Sequence, residues 1–487
     1  MKNITKTLLL LIFLGIISCK KELDRLPVST TDIDAFYKTS NDAEVALLGA
    51  YNRVLGSDFN TSLMLFNDVS SDDERGYQFG STLDGRTDLT KFNSDFGNGM
   101  WPTAYNALAN INLLLEKVPA IPDNAFLLAN RKQQIIGEAK FLRAYVYWHL
   151  VHLYGGVPIV LSFPKNANVS DNSTPRSTVD ETFAQILLDL KDAEAVLPSD
   201  YNVINAVPSE NLKNSKGRVT KWAAKMLMCR LYLDKKDYTN AAAKSKEIID
   251  ANLFKLSDDP IRDNNYQRLF QGPQNTEESI LEVQNIQNEI DQGGFVYLHL
   301  GAYPPPFGVT EDLYLNAYTV NGNDSIDIRR AYNIGPANGP YYSLKYRKFF
   351  GDPDPDNYII FRYAETLMIY AEAQNELLGP NATSLNYLNQ IKARAKGVLD
   401  NKTYPGPPAL ILPPSTDLMR TEIRNEKRRE FALEGIRWYD LLRYGPDVAL
   451  EAIRKSTGNS LTDPNKLILP IPQREVEVSG IAQNPGY

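Results

Sequence analysis

The chain has 487 residues, 43% of them hydrophobic and 23% charged, with a formal net charge of −7. That is ordinary globular composition and enough for a large core. The acidic balance offers no basic stripe for nucleic acid, and with only Cys19 and Cys229 present no disulfide framework is available.

The N-terminus carries Lys2 and Lys6, then a short apolar run from Leu8 to Ile17. The run is too short to span a bilayer and reads as a signal peptide over residues 1–18. It ends Ile16-Ile17-Ser18-Cys19, which resembles the bacterial lipobox. Cleavage before Cys19 and acylation of its thiol would anchor the chain, each buried methylene contributing about 0.8 kcal/mol. Loss of the two lysines takes the formal charge to −7 − 2 = −9.

Beyond the leader, apolar residues at helical spacing predict a helix over 42–54. Residues 56–100 lose all period and are rich in Ser, Asp, Gly and Phe, as suits a binding loop. Helical period returns at Trp101 and stops at Pro119. The next helix is expected to open near Asn124 and run about 45 Å to Tyr154. From Phe141 onward it is apolar on nearly every side, so other helices must surround it. Gly155-Gly156 and Pro158 stop it. A polar loop over 168–174 follows, and Thr178 with Glu181 forms a capping box for a helix to Leu197.

Residues 218–249 and 363–396 each read as helix, turn, helix. Small, aromatic and apolar positions recur in them as in a tetratricopeptide unit. Residues 41–118 and 124–197 are looser versions. About four such pairs, stacked, would make a curved all-α scaffold. Between 254 and 358 the period breaks again, with β-like runs at 279–283 and 294–300 and dense aromatics. A Pro-rich loop over 401–415, a charged helix over 418–444 and an extended tail over 467–487 complete the chain.

The charged helix places Glu426, Glu430 and Glu434 four residues apart. Paired carboxylates suggest a glycosidase. Stacked on one helix face, however, they point the same way, and the interleaved Arg429, Arg437 and Arg443 make ion pairing the simpler reading. His149 and His152 lack a third ligand at suitable spacing and read as core, with no metal expected. Cys229, Trp101, Trp148, Trp222 and Trp438 are assigned to core. No nucleophile motif or phosphate loop is present, so the reading is a binder that needs no cofactor, not an enzyme.

Several blocks resemble the SusD/RagB-like family of Bacteroidetes, in the family's order and over nearly the whole chain. They are the lipobox at Cys19, WPTAYNALANIN at 101–112, GEAKFLRAYVYWHLVHLYGGVP at 137–158, GRVTKWAAKMLMCRLYL at 217–233, FRYAETLMIYAEAQNE at 361–376, EKRREFALEGIRWYDLLRYG at 426–445 and LPIPQREVEVSGIAQNPGY at 469–487. The resemblance implies one domain over 19–487. Its scaffold would lie mainly in 41–55, 101–251 and 360–445, with ligand-face insertions at 56–100 and 255–359. It also implies a cell-surface outer-membrane lipoprotein that captures glycan, or in some members peptide, and acts as the lid of a SusC-like TonB-dependent transporter.

Segments 66–80 and 290–350 are the expected ligand face. Asp73, Arg75, Tyr77, Tyr297, Tyr303, Tyr341 and Tyr342 are the candidates, because sugar rings stack on aromatic faces while charged groups bond hydroxyls. A protein-holding scaffold without small ligand and a surface hydrolase using Glu430 or Glu434 are the competing readings.

Overall fold

The structure is a computed structural model. It describes residues 36–56, 59, 62–76, 99–164, 174–201, 217–257, 266, 269–270, 274–284, 307–319, 327–335, 341–346, 357–399, 401–458 and 461–487. Cys19, the signal peptide and the β-like run at 294–300 lie outside the described residues.

The first helix, α1 (Ser40–Leu55), opens on a capping box in which the Asp42 carboxylate accepts from the Thr39 N–H at 2.7 Å. A short α2 (Ser62–Val69) and strand β1 (Glu74–Gly76) follow, then α3 (Met100–Lys117). The spine helix α4 spans Arg131–Tyr154, and every residue from Phe141 to Tyr154 is buried. It begins later than the sequence suggests. Asp123–Ala125 forms a separate 3₁₀ turn after Pro122, and Asn130 enters the helix from the left-handed region at φ 65°. Its 24 residues give a length of about 36 Å.

The end of α4 is closed by distant chain. Gly155 takes φ 73° and ψ −140°, a positive-φ turn outside the left-handed helical region. A Cβ on Gly156 would stand 2.1 Å from the Ser177 carbonyl oxygen, so only glycine fits there. At the helix end the Tyr154 carbonyl accepts from Arg176 at 2.9 Å and from Asn484 at 3.0 Å. The Leu469 N–H donates to the Leu153 carbonyl at 2.6 Å. The C-terminal tail therefore docks on the spine.

Next come α5 (Val179–Val196), α6 (Lys221–Asp234) and α7 (Tyr238–Asp250). The Thr178–Glu181 capping box forms as its residues predict. Strand β2 (Ser279–Val283) pairs antiparallel with β6 (Tyr358–Arg362), Ser279 opposite Arg362. Between them lie β3 (Phe307–Val309), a π-helical turn (Asp312–Ala317), α8 (Ile328–Asn333), β4 (Ile334–Gly335) and β5 (Tyr342–Ser343). The helices α9 (Tyr363–Leu378) and α10 (Ala382–Arg394) lead to a hairpin of β7 (Gly397–Leu399) and β8 (Lys402–Tyr404), where a plain loop was expected.

The pairs α1/α3, α4/α5, α6/α7 and α9/α10 pack in that order, each second helix against the first of the next pair or α4 against both members of the first. This is the tetratricopeptide-like arrangement. Each pair leaves one apolar face for its neighbour; the first three pairs and one face of α9 enclose a large core around α4, and α9 and α10 close a second cluster with Met419, Ile423 and Phe431. All four tryptophans are buried in it or at its edge, as is the thiol of Cys229.

The charged helix is not continuous over 418–444. It splits into α11 (Thr416–Phe431) and α12 (Arg437–Tyr444). Leu433 (φ 65°) and Gly435 (φ 70°) break it, and the Gly435 N–H is received by the Asp68 carboxylate at 3.0 Å. Two further helices follow, α13 (Pro446–Thr457), and α14 (Gln473–Ser479), which forms where an extended tail was expected.

Candidate functional site

The two stretches in which helical period fails meet each other. Strand β1 pairs antiparallel with β3, with Glu74 opposite Val309, Arg75 opposite Gly308 and Gly76 opposite Phe307. Val309 then donates to the Tyr341 carbonyl at 2.9 Å, and Thr310 donates to the Asp73 carbonyl at 2.9 Å. Strand β5 pairs with β4, Tyr342 opposite Gly335. Segments more than two hundred residues apart in sequence thus form one small platform. Beneath it Val309, Leu313, Tyr318, Ile334, Ala432 and Leu433 form a separate apolar cluster. The helix break contributes Ala432 and Leu433 to that cluster.

Alternation along β5 sends successive side chains to opposite faces. The Tyr341 ring stacks on Tyr314 with centroids 3.8 Å apart and planes at 21°. The Arg330 guanidinium lies over the Tyr314 ring, 4.1 Å from its centre. The Tyr342 ring lies across Gly335, where a Cβ would stand 2.4 Å from it. Tyr314, Tyr341, Tyr342, Arg75 and Arg330 are all half-buried, so each keeps some surface toward solvent. Stacked tyrosines with polar tips and a guanidinium suit a ligand that is apolar on its faces and polar at its rim.

Of the residues singled out from the sequence, Arg75, Tyr341 and Tyr342 are brought to this platform. Tyr77, Tyr297 and Tyr303 lie outside the described residues. Asp73 is a correction. It is fully buried and so cannot meet a ligand at the surface; its carboxylate accepts from Arg428 Nε at 2.8 Å. Tyr314 is one of many aromatics in this stretch, and nothing in the sequence singles it out. Its signal comes from the π-helical turn, a geometry frequent at functional sites, which has no plain sequence mark.

The floor of the platform is charged. Arg428 of α11 also donates to Asp312 at 2.7 Å and to the Asp72 carbonyl at 2.8 Å. Arg437 of α12 forks onto Asp72 at 2.7 and 2.9 Å. Burial would raise the Asp72 carboxyl, but Arg428 and Arg437 outweigh it and hold it well below its usual range. Asp73 goes the other way. Burial, reinforced by the Asp72 charge and only partly offset by Arg428, pushes it up to about 6.

The three glutamates of α11 and the following break are not free acids. Glu430 is fully buried and meets Arg362 at 2.6 Å, Arg329 at 2.8 Å and also Arg394. Glu434 meets Arg362 at 2.7 Å and Lys345 at 2.5 Å. Glu426 meets Arg329 and Arg429, each at 2.7 Å. Burial opposes ionisation of Glu426 and Glu430, yet the surrounding guanidinium groups hold both at about 2. Carboxyls so held cannot donate protons near neutrality. Arg429 is the partner the sequence suggests. Arg437 and Arg443 turn instead to Asp72 and Glu372.

His149 is packed among Phe59, Tyr145 and Trp148, and burial pulls its pKa well down. Among the described residues no three His, Cys, Asp or Glu side chains converge to hold a metal ion, and no helix is long and apolar enough to cross a membrane.

Comparison with known proteins adds independent findings. A family model described as SusD family matches residues 352–487, and one described as Starch-binding associating with outer membrane matches residues 47–233. Two SusD-like proteins of Formosa agariphila are 25% and 27% identical, with 99% and 91% of this chain and of each relative covered. Among solved structures, a laminarin-binding SusD-like protein superposes with TM-score 0.71 at 25% identity, covering 93% of this chain and all of its own. Surface glycan-binding protein A of Bacteroides fluxus gives 0.73 at 23%, covering 92% and 100%. A SusD-like protein of Bacteroides fragilis gives 0.73 at 21%, covering 94% and 99%.

Proposed function

Since this chain belongs to the SusD/RagB family of non-catalytic, outer-membrane-associated glycan-binding proteins, we propose that it captures a glycan at the cell surface and delivers it to a SusC-like TonB-dependent transporter, over which it acts as a lid. The observation that carries this reading is the Tyr314–Tyr341 stack at the junction of the two inserted segments. Sugar rings present C–H faces that lie against such aromatic surfaces, and the hydroxyl rim is met by groups such as Arg75 and Arg330.

The choice of ligand is supported by a solved structure 25% identical to this chain, a laminarin-binding SusD-like protein. A β-glucan such as laminarin is therefore the first ligand to test. Attachment to the outer membrane is assigned to the acylated Cys19, on the strength of Ile16-Ile17-Ser18-Cys19. Residues 19–487 are read as one domain, with 1–18 as its signal peptide. Tyr77, Tyr297 and Tyr303 belong, on this reading, to the same ligand face.

Affinity electrophoresis of the soluble chain, begun after Cys19, through gels carrying laminarin or other glycans tests the proposal. Retardation in at least one glycan is expected. Migration unaffected by every glycan, with binding to a peptide mixture instead, would replace glycan by peptide. Tight association with the transporter and no small ligand at all would leave only the scaffold role.

A further inference from the structure

We propose that Arg428 is a positioning residue for the ligand face: one guanidinium, fixed on scaffold helix α11, holds the two inserted segments in register and so sets the geometry of the Tyr314–Tyr341 pair. The inference rests on the reading of that pair as the ligand-contacting surface.

Arg428 spends its donors on both segments. Nε bonds the Asp73 carboxylate and Nη2 the Asp72 carbonyl, both in the first segment. Nη1 bonds the Asp312 carboxylate at the start of the π-helical turn in the second. The planar fork of a guanidinium can serve three acceptors in fixed directions, which a lysine cannot. Arg437 reaches only Asp72, and Lys455, two-thirds exposed, stands 3.5 Å from Asp312.

The connection onward is short. The Asp73 carbonyl receives the Thr310 N–H. The Thr310 hydroxyl donates to the Asp72 carbonyl at 2.8 Å. The Thr310 carbonyl receives the Tyr314 N–H at 3.1 Å, and the adjacent Val309 N–H binds the Tyr341 carbonyl. Tyr314 thus lies in a turn whose first residue Arg428 holds, and Tyr341 is bonded to a strand whose following residue, Thr310, is tied to the Asp72 and Asp73 that Arg428 also holds. Nothing in the guanidinium's contacts touches the rings, so its effect on a ligand passes through them.

The test uses Arg428→Lys and, should that variant not fold, Asp312→Asn, which takes the charge from the limb to the π-helical turn. Hydrogen exchange without ligand is the first readout. Peptides covering 307–319 and 341–346 are expected to exchange roughly tenfold faster, while those from α9 and α10 stay as protected as in the parent. The second readout is laminarin affinity in a double-mutant cycle. Arg428→Lys is expected to weaken binding about tenfold in the parent and to have almost no further effect in Tyr341→Ala. Unchanged exchange in both variants, or a rise spread evenly over the scaffold, would overturn the proposal. If exchange rises locally as expected but the parent binds no glycan, the positioning role stands and the ligand assignment falls.

Discussion

Replacing Glu430 by glutamine should cost about 3–4 kcal/mol of stability at pH 7, and the structure says why. Glu430 sits in a buried cluster of five carboxylates (Glu278, Asp327, Glu426, Glu430, Glu434) and five cations (Arg329, Arg362, Arg394, Arg429, Lys345). Removing one carboxylate leaves a buried positive charge without its counterpart, an error that typically costs about 3–5 kcal/mol. The titration argument agrees. Glu430 is held at about 2 against an ordinary 4.5, a depression that corresponds to a contribution on the order of 3 kcal/mol. The sign is fixed. A depressed carboxyl contributes stability above pH 4.5 that is lost as pH falls through 2. The urea midpoint of Glu430→Gln should therefore lie well below the parent at pH 7, at unchanged denaturant slope. The gap should close as pH approaches 2. A loss below about 1 kcal/mol, or a gap independent of pH, would refute the reading of these glutamates as members of a closed, buried ion-pair network. Loss of a measured glycan hydrolysis without loss of stability would revive the catalytic reading.

Other consequences are smaller. Thr178→Ala removes the hydroxyl that accepts the Glu181 N–H and should lower stability by about 1 kcal/mol, read from the urea midpoint. Asp73, raised to about 6 against an ordinary 3.8, contributes stability fully present below 3.8 and lost as pH rises through 6. The charged groups acting on it are Arg428, Asp72 and Arg437. The parent should therefore gain on Asp73→Asn as pH falls from 7 to 5; a pH-independent difference between the two would contradict the shift. His149 acts in the opposite sense in both proteins, so it cancels from the comparison. Burial pushes the Cys229 thiol far up, so the native chain begun after Cys19 should not react with a thiol reagent until denaturant is added.

Much of the fold is legible in the residues because it is written in local pattern. The all-round apolar run of α4, the Thr178–Glu181 box and the helix–turn–helix spacing of 218–249 and 363–396 are near-neighbour signals, and each forms as read. Boundaries set by distant chain are not legible. The late start of α4 depends on backbone turns at 123–130. The break at 432–436 depends on Asp68 receiving the Gly435 N–H, and on Leu433 reaching the apolar cluster under β3. The docked C-terminal tail depends on the helix-end carbonyls of Leu153 and Tyr154, which receive Leu469 and Asn484.

At the candidate site the same division holds. Loss of helical period marks both segments, and the aromatic density marks the second. What the sequence does not display is depth. Asp73 and Arg75 are two residues apart, yet one lies under the platform and the other at its edge. The partners of Glu430 come from positions 329, 362 and 394, and no spacing rule connects them to α11. Tyr314 gains its role from a turn geometry that any of several sequences could adopt.

The central claim is that Tyr314 and Tyr341 form the surface on which a glycan is captured. Isothermal titration of the soluble chain against a glycan panel headed by laminarin tests it most directly, with Tyr314→Ala and Tyr341→Ala alongside. The account predicts saturable binding to a glycan that weakens about tenfold or more, roughly 1.4 kcal/mol, in each variant. Glycan binding that both variants retain in full would contradict it.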